Sequence, residues 1–257
     1  MNHHSPSHAD GLALPGIRQI GTDRPFAWLR AGWQDLKANP LPSLAYGLLF
    51  AIGGDLIILA ALGHPHLLTV AISGFFLVAP LLAAGLYELS RCHARGERLM
   101  FIDSLRCFRR NGQSIAFFGL ILALVMLFWE RVSAVSFALI AIDSPGAASA
   151  YLSDLVFSGD HLAFTVTWMG LGGLLALGVF AISVVAVPLL LDRDTDVATA
   201  MMTSLRTFGL NTGPLLLWAG LIVTLTLLGF ATLLFGLVVI MPVLGHASWH
   251  AYRDLVE

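Results

Sequence analysis

His246 and His250 stand four residues apart, a spacing that lets two imidazoles share a ligand. On a helix, residues i and i+4 lie one above the other, so both rings leave the same face. Neutral imidazole is a common metal ligand, and the chemistry this pair would support is a metal or haem centre. The intervening Ala247, Ser248 and Trp249 include no acidic residue of the kind a zinc protease places there. With Trp249 and Tyr252 the same pair also reads as a belt at a membrane interface, and the belt is the favoured reading.

Three further residues carry charge into apolar surroundings: Asp55, Glu130 and Arg131. A charge inside a bilayer is costly and marks a proton or substrate pathway when it faces a bundle interior. An Asp55–Arg131 pair would neutralise both charges at similar depth. The plainer alternative is a structural pair pinning two helices, or side chains that snorkel to the outer interface. A third group, Arg106, Arg109 and Arg110, is basic and amphipathic, and its chemistry is recognition of anionic lipid headgroups or a partner. Nucleophilic catalysis has no support, because neither a Gly-x-Ser-x-Gly elbow nor a phosphate-binding glycine loop occurs.

The elements that must position these residues follow from composition. The chain of 257 residues is 57% hydrophobic and 12% charged, with a mean hydropathy of +0.82. Soluble domains carry about 25% charged residues, so here the bilayer must be the solvent. Backbone groups in hydrocarbon need internal partners, which leaves helices or closed barrels. Uninterrupted apolar runs of about 20 residues select helices over the alternating strands of a barrel. The net charge of −2 leaves no basic surface for nucleic acid. Cys92 and Cys107 share one polar stretch without metal-ligand spacing, and are expected to stay reduced in the cytoplasm.

Six spans are expected, at about 41–62, 67–89, 113–135, 164–191, 214–234 and 236–250. Residues 1–24, with His3, His4 and His8, read as a disordered cytoplasmic tail, and 25–257 as one integral membrane domain. No cleavable signal peptide is expected in the first 40 residues. The polar stretches between spans repeat. Ser104-Leu105-Arg106-Cys107-Phe108 precedes Asn111 as Ser204-Leu205-Arg206-Thr207-Phe208 precedes Asn211. Positions ten, six and three before Asn39 hold Leu29, Trp33 and Leu36, as they hold Phe101, Leu105 and Phe108 before Asn111, and Met201, Leu205 and Phe208 before Asn211. The chain therefore reads as three units, each an amphipathic helix, an Asn and two spans, with prolines at Pro80, Pro188 and Pro242 in the second span of each pair. Trp28 and Trp33 suit the headgroup region. Thirteen of the fourteen Lys and Arg, all but Arg131, lie on one side of this topology. The positive-inside rule puts that side and both termini in the cytoplasm, with the three amphipathic helices lying in plane against anionic lipid.

The segment Gly85-Leu86-Tyr87-Glu88-Leu89-Ser90-Arg91 after a proline-bearing span resembles a motif of a bacterial integral-membrane family, domain of unknown function 2189. Gly96-Glu97, Leu190-Leu191-Asp192-Arg193-Asp194 and the ending Gly245-His246-Ala247-Ser248-Trp249-His250-Ala251-Tyr252-Arg253-Asp254-Leu255 resemble it too, over roughly 26–256. The resemblance implies a bacterial cytoplasmic-membrane protein with about six spans and brings no activity with it. The expectation is an all-α, polytopic helical bundle that is not an enzyme: a carrier or permease-like module for a small solute, needing no cofactor. The alternatives are a scaffold or assembly factor that binds lipid, a membrane protein or its own copy, and a haem or metal redox module at His246 and His250.

Overall fold

A computed structural model describes residues 14–63, 83–106, 111–143 and 162–257. Among these, regular structure is helical, apart from one isolated antiparallel bridge between Ile17 and Val256. The helices are α1 (Arg24–Ala38), α2 (Pro40–Gly63), α3 (83–93), α4 (Phe101–Ser104), α5 (Gly112–Asp143), α6 (Leu162–Ser183), α7 (Ala186–Asp192), α8 (Val197–Leu210), α9 (Thr212–Ala231) and α10 (Leu237–Leu255).

Three stretches are long and apolar enough to cross a membrane: Gly112–Ser136, Leu162–Asp192 and Thr212–Ala231. They match the third, fourth and fifth expected spans. Residues 67–82 of the second, with Pro80, lie outside the described residues. The first is covered by α2, a 24-residue helix about 36 Å long at 1.5 Å per residue. Two boundaries differ from expectation. The fifth span ends at Ala231 rather than Leu234, because Leu233 and Leu234 adopt φ of 52° and 68° and turn the chain into α10. The sixth continues past 250 to Leu255.

The fourth span is broken at Val184–Val185, between α6 and α7, where a continuous helix over 164–191 is expected. The cause is Pro188: it has no N–H, and its ring crowds the carbonyl four residues back, that of Val184. Ser204 mends the break. Its hydroxyl donates to the Ala181 carbonyl at 2.8 Å and accepts from the Val185 amide at 3.3 Å, bridging the two groups a continuous helix would have joined. Such repair by a neighbouring hydroxyl is how proline is tolerated inside apolar helices.

The core gathers around Trp28, Leu189, Leu190, Leu215, Trp218 and Tyr252. Of the apolar positions named on α1 and α8, Leu36 is buried, Leu29, Met201 and Phe208 pack half-buried on the core, and Trp33 and Leu205 are exposed. On α1 the buried row is Trp28, Gly32, Asp35 and Leu36, while Trp33 is exposed beside Lys37, whose Nζ lies 5.9 Å from the ring centroid. On α8 the buried row is Ala200, Thr203, Ser204 and Thr207, while Leu205 is exposed. Small residues win the inward face because they admit close approach. Gly32 shows this: a Cβ there would lie 2.5 Å from the Val243 carbonyl and 2.7 Å from the Ala247 amide of α10. Nor does Trp28 reach a headgroup region. Its Nε1 donates to Asp254 at 2.9 Å and its ring meets Trp218 edge-on at 5.7 Å.

Of the expected tail, residues 1–13, with His3, His4 and His8, lie outside the described residues, and the part that follows is held in place. Arg18 N donates to Leu255 O at 2.9 Å and Glu257 N to Gly16 O at 3.0 Å, so the last residues of the lead-in are held against the C-terminus. The three asparagines do equivalent work. Nδ2 of Asn39 donates to Leu99 O at 3.0 Å, that of Asn111 to Thr195 O at 2.8 Å, and that of Asn211 to Arg18 O at 3.0 Å. Each acceptor lies in the segment leading into one of the short helices α4, α8 and α1.

Candidate functional site

A connected set of polar side chains joins α1, α2, α3 and α10. Asp35 reaches inward from the buried row of α1. Ser43 lies in the first turn of α2, which the Asn39-Pro40 junction starts directly after α1. Ser90 comes from α3, and His246 and His250 come from one face of α10. Ser43 Oγ lies 2.9 Å from His246 Nε2, and Ser90 Oγ lies 2.7 Å from His246 Nδ1. Ser90 Oγ donates to Asp35 Oδ2 at 2.6 Å, and His250 Nε2 meets the same oxygen at 2.9 Å. His93 stands 3.7 Å from Asp35 Oδ1. The set grades from buried to wet: Ser43 and His246 are 0% and 1% exposed, while the side chains of His250 and His93 are 30% and 46% exposed.

The electrostatics centre on Asp35. Burial alone would push its carboxyl up, but hydrogen bonds from His250 and Ser90, with the nearby imidazoles, hold it below the usual carboxylate range. Ser43, His246, Ser90 and Asp35 have the order of an activated nucleophile with a base and an orienting acid. Ser43 itself is fully buried, so its hydroxyl does not meet solvent.

Around this set lie three charged clusters. Arg24 grips Asp254 with Nε at 2.7 Å and Nη2 at 2.9 Å. Asp192 accepts from Tyr252 at 2.8 Å and lies 3.5 Å from Arg253. Arg91 holds Glu88 through Nε at 2.8 Å and Nη2 at 2.5 Å, and its Nη1 is buried without a partner among the described residues.

The expected site residues fall in different places. His246 and His250 are brought together, as their spacing predicts, yet they do not form an interfacial belt. Trp249 and Tyr252 are buried in protein with His246. Both ring nitrogens of His246 face hydroxyls, and His250 Nε2 faces Asp35. Among the described residues, no group of three or more His, Cys, Asp or Glu is gathered to hold a metal. Asp55 is exposed on α2, and Arg131 pairs with its neighbour Glu130 at 2.5 Å rather than with Asp55. Arg106 is exposed and lies 3.2 Å from Asp103, while Arg109 and Arg110 lie outside the described residues. Sequence reasoning missed Asp35, Ser43 and Ser90 as site residues. A signal existed for Asp35: it sits seven residues after Trp28, on the row that Gly32 and Leu36 complete.

The two Ser-Leu-Arg copies behave alike. Ser104 and Ser204 are both fully buried, and Leu105-Arg106 and Leu205-Arg206 both face outward. Ser104 Oγ meets Tyr46 Oη at 2.6 Å, tying α4 to α2.

Among the described residues the regular structure is helical, and three helices are long and apolar enough to cross a membrane. Residues 67–192 match a family model described as a predicted integral membrane protein, domain of unknown function 2189, so the resemblance drawn from residues 85–97 and 190–194 is shown. No curated protein and no solved structure matches the chain.

Proposed function

We propose that this protein is a six-span carrier module of the bacterial cytoplasmic membrane, moving a small solute through a site built on Asp35, Ser90, His246 and Ser43. One observation carries the reading: ionisable and hydroxyl groups from four helices form one continuous, buried hydrogen-bonded chain inside an apolar protein. Buried polar groups of this kind are expensive in a membrane and mark solute or proton pathways. Asp55 and Arg131 lose their place as the working pair, since each stays on the outside of its helix.

The wider architecture agrees with this reading. The spans would be α2, then the second expected span, whose last residues fall in α3, then α5, α6 with α7, α9 and α10. Three units are supported by the asparagine contacts, each reaching the lead-in of the next short helix, with Asn211 closing the set onto Arg18. The excess of Lys and Arg in the polar stretches favours cytoplasmic termini and anionic lipid beside the short helices.

The test is transport by the full chain in liposomes, screened electrically against small solutes. Asp35→Asn and His246→Gln are expected to abolish the current that wild type gives. Asp55→Asn and Arg131→Gln are expected to keep it. Equal currents from all four variants would sink the reading. A scaffold remains the second reading, favoured by the outward Leu105-Arg106 and Leu205-Arg206 pairs. It predicts instead that Arg106→Gln with Arg206→Gln releases anionic vesicles or a membrane-protein partner while no solute gives a current.

A further inference from the structure

Counting hydrogens along the buried chain gives an unexpected result. Each serine has one hydroxyl hydrogen and two neighbours competing for it. Ser90 Oγ lies between Asp35 Oδ2 at 2.6 Å and His246 Nδ1 at 2.7 Å. Ser43 Oγ lies between His246 Nε2 at 2.9 Å and the Asn39 carbonyl at 2.8 Å. A neutral imidazole carries one hydrogen, on one nitrogen or the other.

With Asp35 ionised, one assignment satisfies every link except the one to the Asn39 carbonyl. Ser90 donates to the carboxylate, so His246 must donate to Ser90 from Nδ1. Nε2 is then an acceptor, and Ser43 donates to it. With Asp35 protonated, the opposite assignment satisfies every link. Asp35 donates to Ser90, Ser90 donates to Nδ1, Nε2 donates to Ser43, and Ser43 donates to the Asn39 carbonyl. The two arrangements differ by a single proton, and every donor along the chain reverses between them.

We infer that Asp35, Ser90, His246 and Ser43 form a one-proton binding site whose occupancy reverses the hydrogen-bond chain and is read out at the α1–α2 junction. This deepens the carrier reading, on which it rests for the working role of the site, by naming the proton as the coupled ion. The proton balance is explicit. A proton arriving at Ser43 Oγ lets the Ser43 hydrogen pass to Nε2, the Nδ1 hydrogen pass to Ser90, and the Ser90 hydrogen pass to Asp35. Asp35 then releases one proton to water beside His250 and His93. One proton enters and one leaves; the serines and the imidazole stay neutral throughout, and Asp35 ends as it began, a carboxylate.

The surrounding groups fit this direction. Asp35 comes from α1, Ser43 from α2, Ser90 and His93 from α3, and His250 from α10. The titratable groups facing Asp35, His250 and His93, are the two with solvent access, which makes that end the exit. Hydrogen bonds from Ser90 and His250 hold Asp35 ionised, so the Nδ1–H form is the resting one. The readout is Asn39. Its carbonyl gains or loses the Ser43 hydrogen, and its side chain holds Leu99 O at 3.0 Å, so the junction and the lead-in to α4 share one residue.

The experiment is nitrogen-15 NMR of the histidine-labelled full chain in nanodiscs, with His246 assigned by the signal missing in His246→Gln. The expected result is a tautomer exchange on acidification: the hydrogen moves from Nδ1 to Nε2 and the ring stays neutral. Asp35→Asn is expected to abolish the exchange, leaving one tautomer at every pH. If Asp35→Asn fails to fold, Ser43→Ala serves, since it removes the acceptor for Nε2–H and holds the ring in the Nδ1–H form. Conversion of His246 to a doubly protonated imidazolium, or one unchanging tautomer in wild type, overturns the inference. The readout needs no solute. A tautomer exchange with no transport current would therefore refute the carrier and keep the proton site, and a current with a static tautomer would do the reverse.

Discussion

Ser204→Ala tests how the broken fourth span is held. The hydroxyl is fully buried and bridges Ala181 O and Val185 N across the gap that Pro188 opens. Removing it leaves a buried donor without a partner, and an acceptor with one fewer. An orphaned buried polar group costs about 1–3 kcal/mol. The expected loss is about 2–4 kcal/mol, the acceptor counting less because a carbonyl tolerates under-satisfaction better. The decisive control is Pro188→Ala. With an N–H restored at position 188, the helix can close its own bonds, and Ser204→Ala should then cost under about 1 kcal/mol. The assay is reversible SDS unfolding in mixed micelles, followed by circular dichroism, with the four proteins forming a double-mutant cycle. An equal cost of Ser204→Ala in both backgrounds would refute the account, because the serine would then be acting through packing alone.

The α1–α10 crossing should be intolerant at Gly32. Ala there meets backbone on the Val243 and Ala247 side, and the expected loss is about 1–3 kcal/mol, whereas Gly209→Ala, with nothing within 4 Å of the new methyl, should be neutral or stabilising by under about 1 kcal/mol in the same unfolding assay. Acid should weaken the fold through Asp35 and Asp254. Hydrogen bonds hold both carboxyls below the usual range despite burial, so the unfolded chain binds more protons in acid. Their contribution is complete above the unfolded value of about 4 and is lost as pH falls through the folded values. Asp254→Asn should flatten part of that loss in unfolding curves taken from neutral to acid pH. Arg131→Gln should cost under about 1 kcal/mol, since the Arg131 side chain is 69% exposed. A larger cost on unfolding would mean that its partner lies elsewhere.

Local chemistry explains what could be read early. Apolar runs with no polar alternative had to be helices, and the i, i+4 histidines leave one helix face because that depends on short-range geometry. The junction asparagines instead reach partners 60 to 193 residues away, which no local pattern names. The faces of α1 and α8 were readable only in part. A hydrophobic stripe predicts the buried side only when water is the alternative, and beside lipid an apolar residue gains little by turning inward. Close packing decided instead, so Gly32, Ala200 and Ser204 took the inward positions and Trp33 and Leu205 the outward ones.

The site shows the same division. Charge within an apolar run pointed to Asp55 and Arg131, yet among the described residues neither meets an opposite partner on another helix. Asp35 lies outside every expected span and looked like one more polar residue of an amphipathic helix. It becomes central because Gly32 brings α1 against α10, bringing Asp35 to His250, while Ser90 arrives from α3 and links it to His246. Sequence alone determined the solvent this chain needs, its helices and the spacing of its histidines, since each depends on neighbours within a few residues. Only the tertiary structure decided which carboxylate joins those histidines, because Asp35 and His250 are separated by 215 residues and meet only when four helices pack.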